Sequence, residues 1–509
     1  MKFILYAQAY SCGSEELPDA LDHSGFSLLN AFSKILSLLG EVTQIHHPEE
    51  AERIYEQCLE KNETCLLLSF APPHLTPITL SCPAVPVFAW EYANIPEQIE
   101  ERCWLDDPRH DWRFVLSKTK GAIVLSTHAR DAIRRSMGAK YPVAAMNWPL
   151  SQRSKDQPVT FHRLPNSSRG TILSIHASVG DSQQMGLNVD AIVCEEDDDT
   201  PPFDPADMVD LPALDHTTLD HATQIVHNDS YQNSLVTTFI EPWLIPPPPC
   251  SWNLPPITDI RTRLRGIVYT AVLAPSLEQD NWEDLVTGFC WSFRNTEDAT
   301  LVLVIDDPAA ATCQPKLVSS LSKLSPFKCR VLAIYGIPTQ DEYAALIRAT
   351  TYYVSTSCAS GSCHWLADFL AAGVPAIAPE HTGLSDLIHV DSAFVIRSMS
   401  GLPRVWPHGD HDIYRTSWHQ IDWQSLIDAF HNSHALAVEE PAIYLSMGQL
   451  ASSRALAQCS TDAIKIKIKQ FLRDIIASNL ITHKKQQVEP ATITLGRNHE
   501  TARLHQHRR

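Results

Sequence analysis

The chain has 509 residues, 44% of them hydrophobic, and a formal net charge of −19 from 40 Lys and Arg against 59 Asp and Glu. This length predicts about two or three domains with ample apolar material for their cores. The surplus of carboxylates disfavours nucleic acid as a partner, because it repels phosphate backbones. The clearest basic stretch is the tail at residues 481–509, with six Lys and Arg against two Glu.

Thirteen cysteines are scattered between Cys12 and Cys459 without a repeated pair spacing. This pattern disfavours a disulfide framework and indicates a reducing compartment. The apolar run at residues 3–10 follows one lysine and precedes no small-residue cleavage pattern, so it suits a buried strand better than a signal peptide. No stretch approaches the roughly 20 continuous apolar residues that cross a bilayer. We therefore predict a soluble cytoplasmic protein without a transmembrane segment, and leave peripheral membrane attachment open.

In the first 150 residues, short apolar runs alternate with amphipathic segments, as is typical of parallel strands joined by crossover helices. The pattern predicts helices that include residues 26–39 and 129–137. Strands are predicted at residues 3–8, 41–45, 65–70, 85–90, 122–126 and 143–147. Together these elements predict one doubly wound domain over residues 1–150.

The middle of the chain, residues 151–265, has a different character. It contains an acidic run at residues 195–199 and four consecutive prolines at 246–249. Strand-like pieces remain at residues 171–177 and 236–240. We interpret this region as an insertion that ends in a stiff proline linker. The acidic run is interpreted as solvated surface in preference to a divalent-cation site.

The alternation of strands and helices restarts after the prolines and predicts a second doubly wound domain over residues 266–435. Strands are predicted at residues 266–273, 300–305, 330–335, 352–356 and 376–378, and helices at 282–294, 340–349 and 363–372. Residues 436–480 are predicted to be helical, although the alternation at residues 464–468 would also suit a short strand. The tail at 481–509 is expected to be loose. Two such domains predict a cleft with ligands at the carboxyl ends of the strands.

The most specific stretch is YYVSTSCASGSCHWLADFLAAGVPAIAPEHTGLSDLI, residues 352–388. It resembles the signature of bacterial GT-B glycosyltransferases close to glycosyltransferase family 4, in which a Glu-Gly turn, a second Glu on a helix and a Gly-x-Pro follow one another. The segments VFAWEYANIP, GAIVLSTHARDAI and YPVAAMNWP are similar to pieces of the family's first domain. The resemblance covers residues 1–147 and 266–433. It implies a GT-B-like fold and sugar transfer from a nucleotide-sugar to a saccharide or another acceptor, without a metal or another cofactor.

The sequence departs from the family at its charged donor positions. The family's basic pair falls on Gln279 and Asp280, and its two Glu fall on Ser360 and Asp368. A Lys replaced by Asp beside a diphosphate costs about 1–4 kcal/mol at 4 Å. Either the alignment is displaced and other residues serve, or ordinary donor chemistry is lost. Two hypotheses follow: an active glycosyltransferase, and a degenerate family member that binds a glycan or a partner such as another glycosyltransferase.

For an enzyme, the resemblance places the donor diphosphate at Gly361, Ser362 and Cys363, and the ribose at Asp368, which is also a candidate for catalysis. Glu91 and His128 follow predicted strand ends and are candidates for acceptor contacts and catalysis, although His128 would also suit a helix cap. The remaining donor-side candidates are Asn281, His364, His381 and Thr382. The spacing of Cys358, Cys363 and His364 matches no common zinc site.

Three further patterns carry less weight. The sequence contains neither a P-loop nor a Gly-x-Ser-x-Gly nucleophile elbow, so neither ATP hydrolysis by a P-loop nor serine-hydrolase chemistry is supported. The stretch at residues 406–426, rich in His, Trp and Asp, is interpreted as packing at the end of the second domain. The acidic insertion and the basic tail together suggest self-association as a third, weaker hypothesis.

Overall fold

The computed structural model describes residues 1–7, 21–97, 106–150, 170–187, 254–277, 279–307, 309–401 and 418–477. Within these ranges the chain forms two α/β units built on largely parallel sheets, which confirms the predicted fold class. The sequence features at residues 195–199, 236–240, 246–249 and 481–509 lie outside the described residues.

The first unit contains a six-stranded sheet in the order β2-β1-β3-β4-β5-β6, and each pair of neighbours is parallel. Its elements are β1 (Lys2–Tyr6), α1 (Leu21–Leu36), β2 (Glu41–Ile45), α2 (Glu50–Glu60), β3 (Cys65–Ser69), β4 (Ala84–Phe88), α3 (Trp112–Lys118), β5 (Ala122–Val124), α4 (Thr127–Met137) and β6 (Val143–Ala145). All six predicted strands are present. Helices α2 and α3 are additional to the prediction.

The second unit contains an eight-stranded sheet in the order β14-β13-β12-β9-β10-β11-β7-β8. Its elements are β7 (Thr171–Asp181), β8 (Thr258–Leu264), β9 (Ile267–Leu273), α5 (Trp282–Ser292), β10 (Ala299–Ile305), α6 (Ala310–Leu324), β11 (Arg330–Tyr335), α7 (Gln340–Ala349), β12 (Tyr352–Val354), α8 (His364–Ala371), β13 (Ala376–Pro379) and β14 (Ala393–Ile396). From β11 to β14 the strands are parallel and follow the 3-2-1-4-5-6 order of a doubly wound sheet. The strand order reverses between β9 and β12, where such sheets bind ligands.

Strands β7 and β8 extend the second sheet on its β11 side. Strand β7 pairs antiparallel with β11, and β8 pairs antiparallel with β7. Both come from the stretch interpreted as an insertion at residues 151–265, and a contribution of that stretch to the second sheet was not predicted. Arg330 on β11 forms an ion pair with Asp181 at the end of β7, with Nη2 and Oδ2 2.6 Å apart.

The described part of the chain ends with a pair of short antiparallel strands and three helices. They are β15 (Ser398–Gly401), β16 (Trp418–Ile421), α9 (Trp423–Glu439), α10 (Pro441–Cys459) and α11 (Thr461–Ala477). Residues 464–468 are therefore helical, and the alternative of a short strand is wrong. Helix α11 buries Ile464, Ile468 and Phe471 in the same core as Phe3 and Phe32 of the first unit. The last helix thus returns to the first unit and ties the two units together.

None of the helices in the described ranges has the length and apolar character needed to cross a membrane.

Candidate functional site

The candidate site lies where loops of the two units meet. In the second unit these loops follow β9, β12 and β13, so they surround the point where the strand order reverses. In the first unit they follow β4 and β5. The carboxyl ends of parallel strands are the usual ligand-binding edge of a doubly wound sheet. The ligand-binding edges of the two sheets therefore face one another.

Glu91, which follows β4, contacts two loops of the second unit. Gln279 donates a hydrogen bond from Nε2 to Glu91 Oε1 at 3.2 Å. A Cβ atom added to Gly361 would lie 2.8 Å from Glu91 Oε2 and 3.0 Å from the backbone nitrogen of Trp90. A larger residue at this position would require Glu91 and the backbone of Trp90 to move away. The structure therefore brings together three candidates from both sides of the cleft and shows the cleft closed at this point.

The environment of Glu91 favours its protonated form. Burial raises the pKa of this carboxyl, while hydrogen bonds from its own backbone and from Gln279 act in the opposite direction. A carboxyl with a raised pKa is suited to general acid-base chemistry near neutral pH.

Three histidines from three different elements meet beside this contact. His128 is in the first turn of α4, His381 follows β13, and His419 is on β16. The rings of His381 and His419 stack with their centroids 4.0 Å apart. Among the described residues, the buried Nε2 atoms of His128 and His381 find no hydrogen-bond partner. His419 belongs to the stretch that the sequence analysis assigned to packing.

These histidines are held in their neutral form. Burial lowers the pKa of His381 to about 3, and the neighbouring His419 and His128 contribute to this shift. Burial also lowers the pKa of His128, with Arg135 as the second cause, and the pKa of His419, with His128 as the second cause. A neutral imidazole offers one donor and one acceptor nitrogen, so the cluster can hydrogen-bond sugar hydroxyls or phosphate oxygens.

The loops after β12 and β13 are joined by backbone hydrogen bonds. The backbone nitrogen of Ser360 donates to Thr382 Oγ1 at 3.0 Å, and the nitrogen of Gly383 donates to the Ser360 carbonyl at 2.8 Å. The Ser360 hydroxyl donates to the carbonyl of Ser362 at 2.9 Å. Thr382 has a φ of 46°, which is strained for a β-branched residue. Strain of this kind costs about 1–3 kcal/mol and is concentrated at binding sites and active sites.

Two other donor-side candidates begin helix α8. The His364 ring lies against Trp148 of the first unit, with centroids 4.8 Å apart, so it also contacts both units. Burial raises the pKa of the Cys363 thiol to about 12. This thiol is therefore protonated at neutral pH and is not a candidate nucleophile.

Asn281 and Asp368 each form a hydrogen bond within the second unit. Asn281 precedes helix α5 with a φ of 49°, and its amide donates to Asp284 Oδ2 at 3.0 Å. Asp368 is only 4% exposed, and its Oδ2 accepts a hydrogen bond from Tyr343 Oη at 3.4 Å between α8 and α7.

Asp280 is directed into its own loop. Its Oδ2 accepts a hydrogen bond from the backbone nitrogen of Ala274, and its carbonyl accepts one from Thr356 Oγ1 at 2.8 Å. Burial raises the pKa of Asp280 to about 6, and Asp307 and Asp306 add to the shift. Gln279 faces Glu91, and its neighbour Asp280 instead fixes the loop after β9.

The buried charge of Asp280 predicts a pH-dependent stability. Because its folded-state pKa is raised, the native carboxyl binds a proton more tightly than the unfolded one, and stability falls as pH rises from about 4 to 6. Asp280→Asn keeps an oxygen acceptor for Ala274 and removes the charge. We expect the variant to be about 1 kcal/mol more stable at pH 7, after allowance for partial solvent screening.

Urea unfolding at pH 4, 5, 6 and 7 measures this difference. The exposed Asp131→Asn is the matched control and should follow the wild type at each pH. If the free energy of unfolding differs between Asp280→Asn and the wild type by the same amount at every pH, the prediction is wrong.

A second contact between the units lies at the start of α4. The Asp386 carboxylate accepts hydrogen bonds from the backbone nitrogen of Thr127 at 2.8 Å, from the Thr127 hydroxyl and from Asn147 Nδ2 at 3.4 Å. Lys467 Nζ on α11 lies 3.3 Å from Asn147 Oδ1. The carboxylate of the second unit thus satisfies a free N–H at the start of α4, next to His128. No motif or spacing in the sequence indicates Asp386, Asn147 or Lys467 as site residues.

Neither a protein-family model nor a curated protein matches the sequence. Among solved structures, the chain is similar to sucrose-phosphate synthase from Thermosynechococcus elongatus, with 12% identity, a TM-score of 0.47, and coverage of 94% of this chain and 99% of that one. It is similar to a glycosyltransferase from Rickettsia africae, with 10% identity, a TM-score of 0.47, and 93% and 98% coverage. It is also similar to Anabaena HepE in complex with UDP and glucose, with 11% identity, a TM-score of 0.44, and 92% and 98% coverage. Similarity at this level carries no assignment of function, which must be argued from the residues of the site.

Proposed function

We propose that the protein binds a nucleotide-sugar in the cleft between its two units and transfers the sugar to a saccharide or another hydroxyl-bearing acceptor. The observation that carries the proposal is the convergence of Glu91, Gln279 and Gly361. A half-buried carboxyl of the first unit meets the two loops at which the strand order of the second sheet reverses. The resemblance of residues 352–388 to family 4 glycosyltransferases points to the same chemistry.

In this proposal Glu91 and His128 act on the acceptor. Burial raises the pKa of the Glu91 carboxyl, which makes it a better proton donor and acceptor for a sugar hydroxyl than an exposed carboxylate. His128 presents a buried Nε2 without a partner, which a hydroxyl of either sugar would satisfy. The loops carrying Gly361 and His381 would hold the donor.

Binding requires the two units to separate. A Cβ atom at Gly361 would lie 2.8 Å from Glu91 Oε2, so no sugar ring fits between these residues in the closed arrangement. We propose that the cleft opens to admit substrates and closes on them, which also excludes water from the sugar being transferred.

A second candidate function is that of a catalytically degenerate member that binds a glycan or an intact glycosyltransferase. Two observations favour it: the family's charged donor positions are Gln279, Asp280, Ser360 and Asp368, and the Gly361 turn packs on Glu91. Sugar transfer by the purified protein, abolished by Glu91→Gln, would exclude this function. Co-purification with a catalytically active glycosyltransferase, without transfer by this chain alone, would support it.

Titration calorimetry with a panel of UDP-, GDP- and ADP-sugars tests the proposed function. We expect one donor to bind with a Kd below about 1 mM, because cleft ligands bury most of their surface. Failure of every member of the panel to bind the native protein would refute the proposal.

The side chains of Gln279 and Asp280 point in different directions, so substitutions at the two positions should have different effects on donor binding. Gln279→Arg places a guanidinium in the cleft beside Glu91, where it can hold a phosphate with two hydrogen bonds, and we expect about tenfold tighter donor binding. Asp280→Lys is the matched control. It would lose the hydrogen bond to Ala274 and lower stability without improving donor affinity. Calorimetry and thermal unfolding of both variants measure the two effects, and equal affinity gains would contradict the assigned orientations.

A further inference from the structure

The described loops that line the donor side of the cleft provide no Lys or Arg side chain. The three loops of the second unit that line it, residues 274–281, 355–363 and 380–386, contain no Lys or Arg. Lys467, which is close to the start of α4, lies within reach of Asn147 Oδ1 and the Gln458 carbonyl. A diphosphate bound in this cleft therefore needs another source of positive charge.

The histidine cluster is the group in the cleft that can acquire positive charge. His381 is 5% exposed, and no described residue hydrogen-bonds its Nε2 atom. His128 presents a second partnerless buried Nε2 from the opposite unit, and His419 stacks on His381. A buried polar atom without a hydrogen bond is unfavourable, and a hydrogen bond to a ligand would remove this cost. A ligand between the units would reach nitrogens from both sides.

We propose that His128, His381 and His419 bind the diphosphate of the nucleotide-sugar and take up a proton as they do so, in place of the basic pair that the cleft lacks. This inference rests on the proposed function and adds the chemical group that the cluster recognises. No bond to the ligand is formed or broken: one imidazole gains a proton from solvent and becomes a donor from both ring nitrogens.

The charges around the cluster set the direction of this coupling. The charged and titratable groups near it are Arg135, Asp131, Glu91, Asp386 and Cys363. Without a ligand, burial and mutual repulsion keep the three rings neutral. A negative charge about 4 Å from an imidazole in a partly buried site raises its proton affinity by a factor of about a thousand. A diphosphate carries more than one such charge, so one ring is expected to become protonated near neutral pH.

The sign of the pH dependence follows. Because the bound complex holds one more proton than the free protein, affinity rises as pH falls and is lost as pH rises through the bound-state pKa. Both phosphates of a nucleotide-sugar are esterified, so the donor lacks the phosphomonoester ionisation near pH 6. The slope of log Kd against pH therefore reports proton uptake by the protein and not by the donor.

Calorimetric titration with UDP-glucose between pH 5.5 and 8 tests the proposal. We expect Kd to increase about tenfold for each unit by which pH rises, over part of this range. Repeating the titration in buffers of different ionisation enthalpy should give an uptake of about one proton. His381→Gln and His419→Gln should each bind at least tenfold more weakly, with a flattened pH profile. The exposed His46→Gln is the control and should match the wild type. Thermal unfolding of each variant separates loss of binding from loss of fold.

Inorganic pyrophosphate, titrated at pH 6.5 in the presence of EDTA, distinguishes this inference from the proposed function. If no nucleotide-sugar binds but pyrophosphate binds and His381→Gln weakens that binding at least tenfold, the histidine site stands and the proposed function fails. If UDP-glucose binds without proton uptake and His381→Gln leaves its affinity unchanged, the proposed function stands and the histidine site is refuted. If neither ligand binds, both are refuted.

Discussion

Arg330→Met is expected to destabilise the protein by about 3–5 kcal/mol, because it leaves a buried carboxylate without its partner. The Arg330 and Asp181 side chains are 12% and 3% exposed, and Nη2 and Oδ2 are 2.6 Å apart. The guanidinium also donates to Thr262 Oγ1 at 2.7 Å and to the Arg263 carbonyl at 3.0 Å. One side chain on β11 therefore holds both β7 and β8. Methionine keeps most of the aliphatic stem and removes these hydrogen bonds.

Urea unfolding followed by circular dichroism measures this loss. Lys328→Met is the matched control, because Lys328 lies two residues away and its exposed pair with Glu297 has an N–O distance of 3.9 Å. We expect the control to change stability by no more than about 0.5 kcal/mol. Adding Asp181→Asn to Arg330→Met should restore part of the stability, because it removes the unpaired charge. A loss below 1 kcal/mol for Arg330→Met would show that the pair does not hold β7 and β8 in place.

Most of the parallel core could be predicted from the sequence because its strands are buried on both faces. Strand β10 reads ATLVLVI and β3 reads CLLLS, and every residue of both strands is buried. Such runs are the expected signal of a parallel strand. Helix α7 begins with a capping box formed by Thr339 and Glu342, and its predicted bounds were right at both ends.

The edge of the second sheet could not be predicted in the same way. Strand β8 reads TDIRTRL and exposes most of its residues, so it lacks the apolar signal of a core strand. Residues 182–257 separate it from its partner β7 in the sequence, and no local pattern predicts a pairing over that distance. Helix α6 contains Pro315, which disfavours a helix in any reading of the sequence alone.

The composition of the site was only partly accessible from sequence. The alignment with a family motif places Gln279 and Asp280 side by side, but it does not indicate which side chain enters the cleft. The fold decides this, because Asp280 accepts the hydrogen bond of Ala274 and so directs Gln279 towards Glu91. His419 reaches His381 through the β15–β16 hairpin, whose register no motif encodes.

Asp386→Ala is expected to loosen the contact between the two units and to destabilise the protein by about 1–3 kcal/mol. The carboxylate satisfies the backbone nitrogen of Thr127 at 2.8 Å at the positive end of α4, and loss of a helix cap alone costs about 0.5–2 kcal/mol. Asn147 also loses its carboxylate partner, which interrupts the series of hydrogen bonds from Asp386 through Asn147 to Lys467. Asp386→Asn keeps an acceptor for Thr127 and should recover part of the loss.

Hydrogen exchange of the first turn of α4 and small-angle X-ray scattering measure the two consequences separately. Asp391→Ala is the matched control, since Asp391 pairs with Arg454 in an exposed position of the second unit and should leave both measurements unchanged. If Asp386→Ala exchanges faster at Thr127 but keeps the radius of gyration of the wild type, the carboxylate caps the helix without holding the cleft closed. If the radius also increases, the closed fraction has fallen, and affinity for any ligand that needs the closed cleft must fall by the same factor.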